Sequence, residues 1–330
     1  MIKKILYIGN DLVGQTNYQT AMQTLFLLLE KEEFDKKKTS NKKNKILRML
    51  AILFTTIKEA KKVDFILIDT FSTKNFYFAL VGSQIARIFN TKYIPILHGG
   101  NLPKRIKKSK KLSNLIFKNS YKNISPSNYL KYEFEKEGYQ VYFIPNILEI
   151  DNYTFKNRKI LQPKILWVRA FKKLYNPTLA IKVFNLVKKE FPSAELCMVG
   201  PELDNSLSKC KDLAEKLNLS NSVEFIGGLP QKEWHNKSVE FDIFINTTNV
   251  DNMPVSVLEA MALGLTVVST NVGGLPYLIN NNENGILVTP NNASEMASEI
   301  ISLINNNKFE LAINARELVE KFSWEFVRVK

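Results

Sequence analysis

Short β-rich runs alternate with helical patterns along the whole chain of 330 residues. Residues 65–68 and 93–97, for example, have the pattern of brief buried strands, and residues 76–89 between them have that of a helix. This alternation is typical of parallel sheets, because parallel strands need crossover connections that are usually helical. The chain is therefore expected to form an α/β fold in which the strands of each sheet end at one edge.

Residues 149–163 differ in composition from their surroundings. This stretch is polar, lacks hydrophobic periodicity and ends at Pro163. A chain of this length predicts about two domains. We therefore expect an N-terminal domain over residues 1–148, a linker over 149–163 and a C-terminal domain over 164–330. Doubly wound domains bind ligands at the carboxyl ends of their strands.

Positive charge is concentrated in the first half of the chain. Residues 1–150 contain 26 Lys and Arg against 12 Asp and Glu, whereas residues 151–330 contain 20 of each. This asymmetry indicates an anionic partner for the first domain alone, and nucleic acid and anionic lipid would both satisfy it. The two cysteines need no pairing, so a reducing cytoplasm is the expected compartment. No apolar run reaches the roughly 18 residues of a membrane-spanning helix.

Residues 251–264 read D-N-M-P-V-S-V-L-E-A-M-A-L-G. Pro254 suits the first turn of a helix, because the N–H that proline lacks would have no partner there. The backbone amides near Val255 and Ser256 would then lie at a helix N-terminus, where anions bind. Glu259, deeper in the helix, is placed to accept hydrogen bonds from hydroxyl groups. Together these groups suit the diphosphate and ribose of a nucleotide sugar, although a buried helix with an incidental glutamate explains the segment taken alone.

Residues 241–274 strongly resemble the donor-binding segment of GT-B glycosyltransferases, specifically of glycosyltransferase family 4. That family carries two acidic residues separated by seven positions, the second followed by Ala-Met-Ala-x-Gly, and then a strand and a Gly-Gly turn. Here Asp251 and Glu259 occupy the acidic positions and Gly273-Gly274 the turn. The resemblance covers nearly all of the chain and is strongest over residues 164–290. It implies two Rossmann-like, doubly wound α/β domains that face each other across a cleft.

The resemblance also implies which residues act. Asp251, where glutamate is usual, would contact the transferred sugar, and Arg169 would hold the donor phosphates. Arginine suits a diphosphate because its planar group donates two parallel hydrogen bonds and stays charged. The catalytic candidates are therefore His98, Arg169 and Asp251. The donor-binding candidates are Gly14, Arg169, Lys173, Asp251, Met253, Pro254, Val255, Ser256 and Glu259, with no metal ligand and no cofactor besides the nucleotide-sugar substrate.

The two histidines lead to different expectations. His98 ends the strand predicted at 93–97 and precedes Gly99-Gly100, which lets a ligand approach the backbone closely. In related enzymes a histidine near this point contacts the donor sugar, so hydrogen bonding and orientation are its expected role. His235 lies in a polar helical stretch and is expected at the surface.

Two donor-binding candidates rest on short signals. Gly14 lies in the loop after the first strand, where the family usually has a glycine-rich loop, but a simple turn explains it equally well. The family's phosphate-binding lysine, five residues after the arginine, is replaced here by Leu174. Lys173 is the candidate in its place, and a surface lysine is the alternative.

Two basic segments of the first domain are candidates for contact with lipid. Residues 31–48 lack apolar periodicity and are expected to form a solvated, mobile loop, with contact to lipid phosphates as the alternative. Residues 102–119 predict either a basic amphipathic helix at a membrane surface or a core-packed helix with a solvated basic face. The candidate membrane contacts are Lys104, Arg105, Lys107, Lys108, Lys110 and Lys111, interleaved with Ile106, Leu112, Ile116 and Phe117.

The resulting functional hypothesis is a retaining, metal-independent glycosyltransferase of hexosyltransferase type. It would move a sugar from a nucleotide-sugar donor to a glycan or lipid-linked acceptor in cell-surface polysaccharide synthesis. Its expected location is the cytoplasm, including a peripheral position on the inner face of the cytoplasmic membrane. The alternatives are a sugar-nucleotide epimerase of the same fold, an inactive binder of nucleotide sugars, and a nucleic-acid-binding protein. No nucleic-acid partner is expected, because that role leaves the donor segment unexplained. A nicotinamide dehydrogenase is disfavoured because the chain has no G-x-G-x-x-G sequence.

Overall fold

The structure is a computed structural model that describes residues 2–9 and 21–329. It divides into two compact units, Met1–Ile147 with Val327–Lys330, and Leu148–Phe326. Each unit is built on one six-stranded parallel sheet with flanking helices. The predicted two-domain α/β fold is therefore confirmed. Gly14, a predicted donor-binding residue, lies outside the described residues.

The sheet of the first unit has the strand order β2-β1-β3-β4-β5-β6. Its strands are Lys4–Ile8 (β1), Asp35–Thr39 (β2), Phe65–Thr70 (β3), Lys92–Leu97 (β4), Ile124–Ser125 (β5) and Tyr142–Phe143 (β6). Its helices are Ala21–Lys31 (α1), Lys45–Glu59 (α2), Phe76–Ile88 (α3), Leu102–Lys108 (α4), Lys110–Phe117 (α5) and Asn128–Lys136 (α6). From β1 the chain adds β2 on one side of the sheet, and from β3 it adds β4, β5 and β6 on the other side. The carboxyl ends of these two neighbours therefore form the point where strand order reverses.

The central strands of this sheet are buried because helices cover them. Leu6 and Ile8 of β1 and Ile66 and Ile68 of β3 are almost completely inaccessible to solvent, as expected for parallel strands. Helix α3 packs closely on them at Gly82, where an added methyl group would lie 2.9 Å from Ile8 Cδ1.

Residues 31–48 do not form the predicted mobile loop. They contain β2, which pairs in parallel with β1, and the first residues of α2. The side chain of Asn44 caps α2 by accepting hydrogen bonds from the backbone N–H groups of Ile46 and Leu47. In β2, the Lys36 side chain is largely buried, and its Nζ lies 4.0 Å from the centre of the Phe26 ring and 3.0 Å from Glu30 Oε2. A lysine-rich edge strand resists pairing with other chains, which explains its polar sequence.

Residues 102–119 form the short helices α4 and α5, and most of their apolar side chains belong to the core, although Leu115 is exposed. Ile106, Ile116 and Phe117 are buried, as the core-packed alternative predicts, so these three side chains are not available to insert into a membrane. Arg105 also turns inward, with its guanidinium 4.6 Å from the centre of the Phe76 ring. The exposed lysines that remain are Lys104, Lys107, Lys108, Lys110 and Lys111. Within residues 2–9 and 21–329, no helix has the length and apolar character needed to span a bilayer.

The sheet of the second unit has the order β12-β11-β10-β7-β8-β9. Its strands are Lys164–Val168 (β7), Glu195–Val199 (β8), Val223–Ile226 (β9), Ile243–Asn246 (β10), Thr266–Thr270 (β11) and Ile286–Val288 (β12). The helices are Pro177–Glu190 (α7), Ser206–Lys216 (α8), Gln231–Lys237 (α9), Val255–Ala262 (α10), Ala293–Asn305 (α11), Glu310–Glu320 (α12) and Trp324–Val327 (α13). Strand order reverses between β7 and β10, which pair in parallel.

Both cysteines are buried in the second unit. Cys197 lies on β8, as the apolar run around it predicts, and Cys210 lies on α8. Neither is disulfide-bonded. Burial raises the pKa of each thiol to about 12, so both stay protonated and unreactive at neutral pH.

Residues 149–163, predicted as a linker, pack into the second unit. Arg158 is buried and donates hydrogen bonds to the carbonyl oxygens of Phe241, Leu263 and Ser238. Its Nε also lies 3.2 Å from Asp242 Oδ1. Burial lowers the pKa of Arg158 to about 10, and the nearby Asp242 carboxylate opposes that shift. This one side chain ties the segment to two loops of the second unit.

The replacement Arg158→Leu is expected to lower the free energy of unfolding by about 3–5 kcal/mol, because it leaves buried carbonyls without their donor and removes the buried positive charge beside the Asp242 carboxylate. Urea denaturation provides the measurement. The neighbouring Lys159 is exposed, so Lys159→Ala is the control and should change stability by less than about 0.5 kcal/mol. Equal stability of the two variants would show that the Arg158 contacts do not stabilise the unit.

Candidate functional site

The reversal of strand order in the second unit brings two charged residues together. Arg169 directly follows β7, and Asp251 lies in the loop that leaves β10. Because β7 and β10 are parallel neighbours, their carboxyl ends lie at the same edge of the sheet. The guanidinium of Arg169 donates a hydrogen bond to the Asp251 carboxylate, and the two groups form an ion pair. Two of the predicted catalytic residues therefore share one site.

Glycines allow the backbone to approach closely beside this pair. An added methyl group at Gly200, just after β8, would lie 1.8 Å from the carbonyl oxygen of Arg169. At Gly274 it would lie 1.5 Å from the carbonyl oxygen of Asn252, and the Gly274 N–H donates to the Asp251 carbonyl oxygen at 3.0 Å. The Gly273-Gly274 turn after β11 therefore supports the loop that carries Asp251.

Arg169 retains a hydrogen-bond donor that no described residue uses. Its Nε is buried without a partner, while its guanidinium stacks 4.4 Å from the centre of the Tyr175 ring. The ring and Asp251 hold the side chain in one orientation. A planar cation held in this way, with a donor unsatisfied, is suited to bind a phosphate group.

The N-terminus of α10 adds further donors. Pro254 is the residue before the first helical turn, and its carbonyl accepts from the N–H groups of Val257 and Leu258. Val255 and Ser256 are the first two residues of the helix, so their N–H groups have no hydrogen-bond partner inside it. The Ser256 hydroxyl is also buried without a hydrogen-bond partner among the described residues. Met253, buried in the preceding loop, completes the predicted donor-binding stretch.

Glu259 lies on the same helix and is the centre of a polar cluster. Its Oε1 accepts hydrogen bonds from the Tyr153 hydroxyl, at 3.2 Å, and from Gln231 Nε2. His235 Nε2 lies 3.5 Å from the same oxygen. Burial, followed by the charge of Glu259, raises the pKa of Tyr153 far above its usual range, so this hydroxyl remains a donor. Within the described residues, Oε2 accepts no hydrogen bond, and it is the oxygen that can receive ribose hydroxyls.

The prediction that His235 lies at the surface is wrong. Its side chain is 11% exposed, with the ring 4.8 Å from that of Tyr153. The three residues around Glu259 were missed because the sequence places Tyr153 in an apparent linker and Gln231 and His235 in a polar helix. A weak signal was present, since a buried glutamate requires donors from elsewhere in the fold.

Lys173 has a less direct relation to the site. Its backbone N–H donates to Asp204 Oδ2 at 2.9 Å, and its carbonyl accepts from Asn249 Nδ2 at 3.2 Å. The side chain is exposed. In the described part of the chain it forms no ion pair with Asp251, so its predicted contact with donor phosphates remains a prediction.

His98 belongs to the first unit and has its own polar neighbours. Its Nε2 lies 2.9 Å from Asp69 Oδ1, and the Tyr7 hydroxyl donates to the same oxygen at 3.0 Å. The His98 ring stacks on Phe71 with centroids 5.0 Å apart. Because a carboxylate only accepts, the His98 Nε2 carries the hydrogen. Asp69, which follows the apolar run of β3, was not identified from the sequence and fixes the orientation of the ring.

Residues 150–319 match the protein family described as Glycosyl transferases group 1, which covers just over half of the chain. The chain belongs to this family. Arg169, Asp251 and Glu259 all lie inside the matched region. Among the described residues, no group of three or more His, Cys, Asp and Glu side chains is arranged to hold a metal ion.

Individual relatives agree with this assignment. An uncharacterized glycosyltransferase of Haemophilus influenzae is 32% identical over 41% of this chain and 37% of its own length. The amylovoran biosynthesis glycosyltransferase AmsK of Erwinia amylovora is 29% identical over 47% of this chain and 40% of its own length. The chain thus spans well under half the length of these relatives.

Solved glycosyltransferases of the GT-B type share the fold. HepE of Anabaena, crystallised with UDP, superposes with a TM-score of 0.79 at 18% identity, covering 99% of this chain and 98% of HepE. Sucrose-phosphate synthase of Thermosynechococcus elongatus superposes with a TM-score of 0.80 at 16% identity, covering 99% and 96% of the two chains. At these identities the likeness establishes the architecture of this group 1 glycosyltransferase.

The replacement Glu259→Gln is expected to weaken donor binding by roughly 1–3 kcal/mol, because a charged acceptor for hydroxyl groups becomes a neutral one. Calorimetry with nucleotide sugars measures the affinity. Glu233→Gln is the matched control, since Glu233 is an exposed carboxylate on α9, the helix that carries Gln231 and His235. A folded Glu259→Gln protein with unchanged donor affinity would remove Glu259 from the site.

Proposed function

We propose that this group 1 glycosyltransferase transfers a sugar from a nucleotide-sugar donor to a glycan or lipid-linked acceptor with retention of anomeric configuration. The main support is the geometry around α10. One loop and one helix carry Asp251, the free amides of Val255 and Ser256, and Glu259, while Arg169 meets the loop from the neighbouring strand. One short segment thus carries hydrogen-bond donors for an anion and a carboxylate that accepts hydrogen bonds from hydroxyl groups. These groups match the diphosphate and the ribose of a nucleotide sugar.

In the proposed reaction, the bond between the anomeric carbon and the donor's diphosphate oxygen breaks. The acceptor hydroxyl oxygen forms the new glycosidic bond, and the nucleoside diphosphate leaves with the bonding electron pair and takes up the proton of that hydroxyl. Negative charge grows on the leaving diphosphate, so donors fixed before the reaction stabilise the transition state most. Arg169 and the α10 amides supply such donors without a bound metal. Asp251 would contact the transferred sugar, and His98, oriented by Asp69, would bind sugar hydroxyls.

The acceptor class and location complete the proposal. AmsK acts in amylovoran biosynthesis by its name, and this supports a role in cell-surface polysaccharide synthesis. In this proposal a lipid-linked acceptor is reached at the inner face of the cytoplasmic membrane, which carries negative charge. The positive charge of residues 1–150, including the exposed lysines of α4 and α5, would attract the protein to that face from the cytoplasm.

The replacement Arg169→Ala is expected to lower turnover at saturating donor by about 100-fold, because it removes a preorganised donor from the developing charge. Initial rates of sugar transfer, with thermal melting to verify folding, provide the measurement. Lys172→Ala is the control, since Lys172 is exposed only three residues away. If the two variants turn over equally at saturating donor, Arg169 does not act on the diphosphate.

In a thermal-shift screen of UDP-, GDP- and ADP-sugars, the true donor is expected to raise the melting temperature most. A ligand that binds only the native state and is present at 100 times its Kd adds about 2.7 kcal/mol of stability. The best donor is then incubated with and without lipid-linked and free glycan acceptors, in the presence of EDTA. We expect a glycoside product of retained configuration that EDTA does not suppress. An isomerised nucleotide sugar formed from donor alone would instead identify an epimerase, and rates restored by Mg²⁺ or Mn²⁺ would contradict metal independence.

A further inference from the structure

Helix α2 exposes a continuous apolar stripe on its outer face. Five large hydrophobic side chains point to solvent, and their exposed fractions are 73% for Ile46, 55% for Leu47, 42% for Leu50, 67% for Phe54 and 47% for Ile57. At 3.6 residues per turn, these positions fall within an arc of about 100°. We call these five residues the α2 stripe.

The other side of α2 already contributes to the core. Ile52 and Thr56 are fully buried, and Met49 and Leu53 pack against the hydrophobic core of the first unit. The helix is therefore held in place without the stripe. Single exposed hydrophobic residues are common on protein surfaces, but a contiguous set on one helix face marks an interaction surface.

Lysines border the α2 stripe at both ends. Lys42, Lys43 and Lys45 are exposed at the start of the helix and form no ion pair with the described residues, while Lys58 and Lys61 are exposed near its end. The single acidic residue of the helix, Glu59, is buried and paired with Lys37 at 2.9 Å. The exposed surface of α2 therefore combines apolar side chains with uncompensated positive charge.

We propose that α2 is a membrane-docking helix that lies in the headgroup region of an anionic bilayer. The α2 stripe would enter the boundary of the acyl chains, and the flanking lysines would contact lipid phosphates, as in interfacial amphipathic helices. Charge decides between a membrane and a second copy of the chain. Two α2 stripes placed face to face would bring the lysines of both copies together. These lysines would repel each other, because residues 1–150 of each copy carry 26 basic and only 12 acidic residues.

This helix supplies what α4 and α5 do not. The exposed lysines of α4 and α5 provide mainly electrostatic attraction, since Ile106, Ile116 and Phe117 are buried and a single large apolar side chain of these helices, Leu115, is 40% exposed. The α2 stripe adds apolar insertion, which high salt does not weaken. The inference refines the proposed membrane location, but it does not depend on sugar transfer, because lipid binding is measured without donor or acceptor.

Co-sedimentation of the full chain with vesicles tests the proposal. Vesicles of phosphatidylcholine alone are compared with vesicles of phosphatidylcholine and phosphatidylglycerol, at low and at high NaCl. We expect strong binding to the anionic vesicles at low salt and a reduced but measurable bound fraction at high salt. The double replacement Leu50→Ser and Phe54→Ser should weaken binding to anionic vesicles at least tenfold and abolish the salt-resistant fraction.

Two controls keep the result specific. Ile88→Ser changes an isolated side chain that is 77% exposed at the end of α3 in the same unit, and its vesicle binding should equal that of the unchanged protein. Thermal melting of the double variant should match the unchanged protein, because the replaced side chains are exposed. Binding that is unaltered in the folded double variant would overturn the proposal.

Two further outcomes would also overturn it. One is no binding of the unchanged protein to anionic vesicles at low salt. The other is a dimer in light scattering that the double replacement converts to a monomer, without vesicle binding, which would make the stripe a contact between copies. Vesicle binding by a protein that transfers no sugar would support the α2 inference while contradicting the proposed function, so the two failures are distinguishable.

Discussion

The carboxyl ends of two adjacent parallel strands determine where this glycosyltransferase holds its charged groups. β7 and β10 are distant in sequence but hydrogen-bonded neighbours in the sheet, so the residues that follow them meet at one edge. Arg169 is held there by Asp251 and by the Tyr175 ring. A side chain that is already oriented loses little conformational entropy when a ligand binds, and this makes it an effective phosphate ligand.

Backbone contacts give the site its rigidity. The turn after β11 lies so close to the Asp251 loop that only glycine fits at positions 273 and 274, and Gly200 has the same relation to Arg169. At Gly273 the left-handed backbone, with φ of 56°, adds a second reason for glycine. Loops that carry charged residues are usually mobile, but these loops are fixed by strand ends on either side.

Polar groups in both units are oriented by buried partners that are far away in sequence. Glu259 receives donors from Tyr153 and Gln231, and His98 is fixed by Asp69, which Tyr7 also contacts. A buried carboxylate is stable only when donors surround it, so each cluster stabilises its unit as well as ordering the site. The α2 stripe is the opposite case, since its apolar side chains stay exposed among the described residues of the unit.

Local patterns were enough to predict several helices and strands closely. Strands β3 and β4 and helix α3 lie within two residues of their predicted bounds, because hydrophobic periodicity and β-rich composition are local signals. The segment from Asp251 to Glu259 was also readable, since its proline, carboxylates and small residues lie within one short stretch. Strand β2 was not predicted from the sequence, because it depends on pairing with β1 and on the contact of Lys36 with the Phe26 ring.

Only the tertiary structure decided which residues complete the sites and which surfaces remain open. The donors to Glu259 come from an apparent linker and from a polar helix, and no local pattern connects them to a carboxylate on α10. The same holds for the basic helices, where a sequence shows amphipathicity but not which face meets the core. Most apolar side chains of residues 102–119 are buried in the core, whereas α2 buries one apolar face and exposes the other. Burial depends on what packs against a face, and packing is a property of the whole fold.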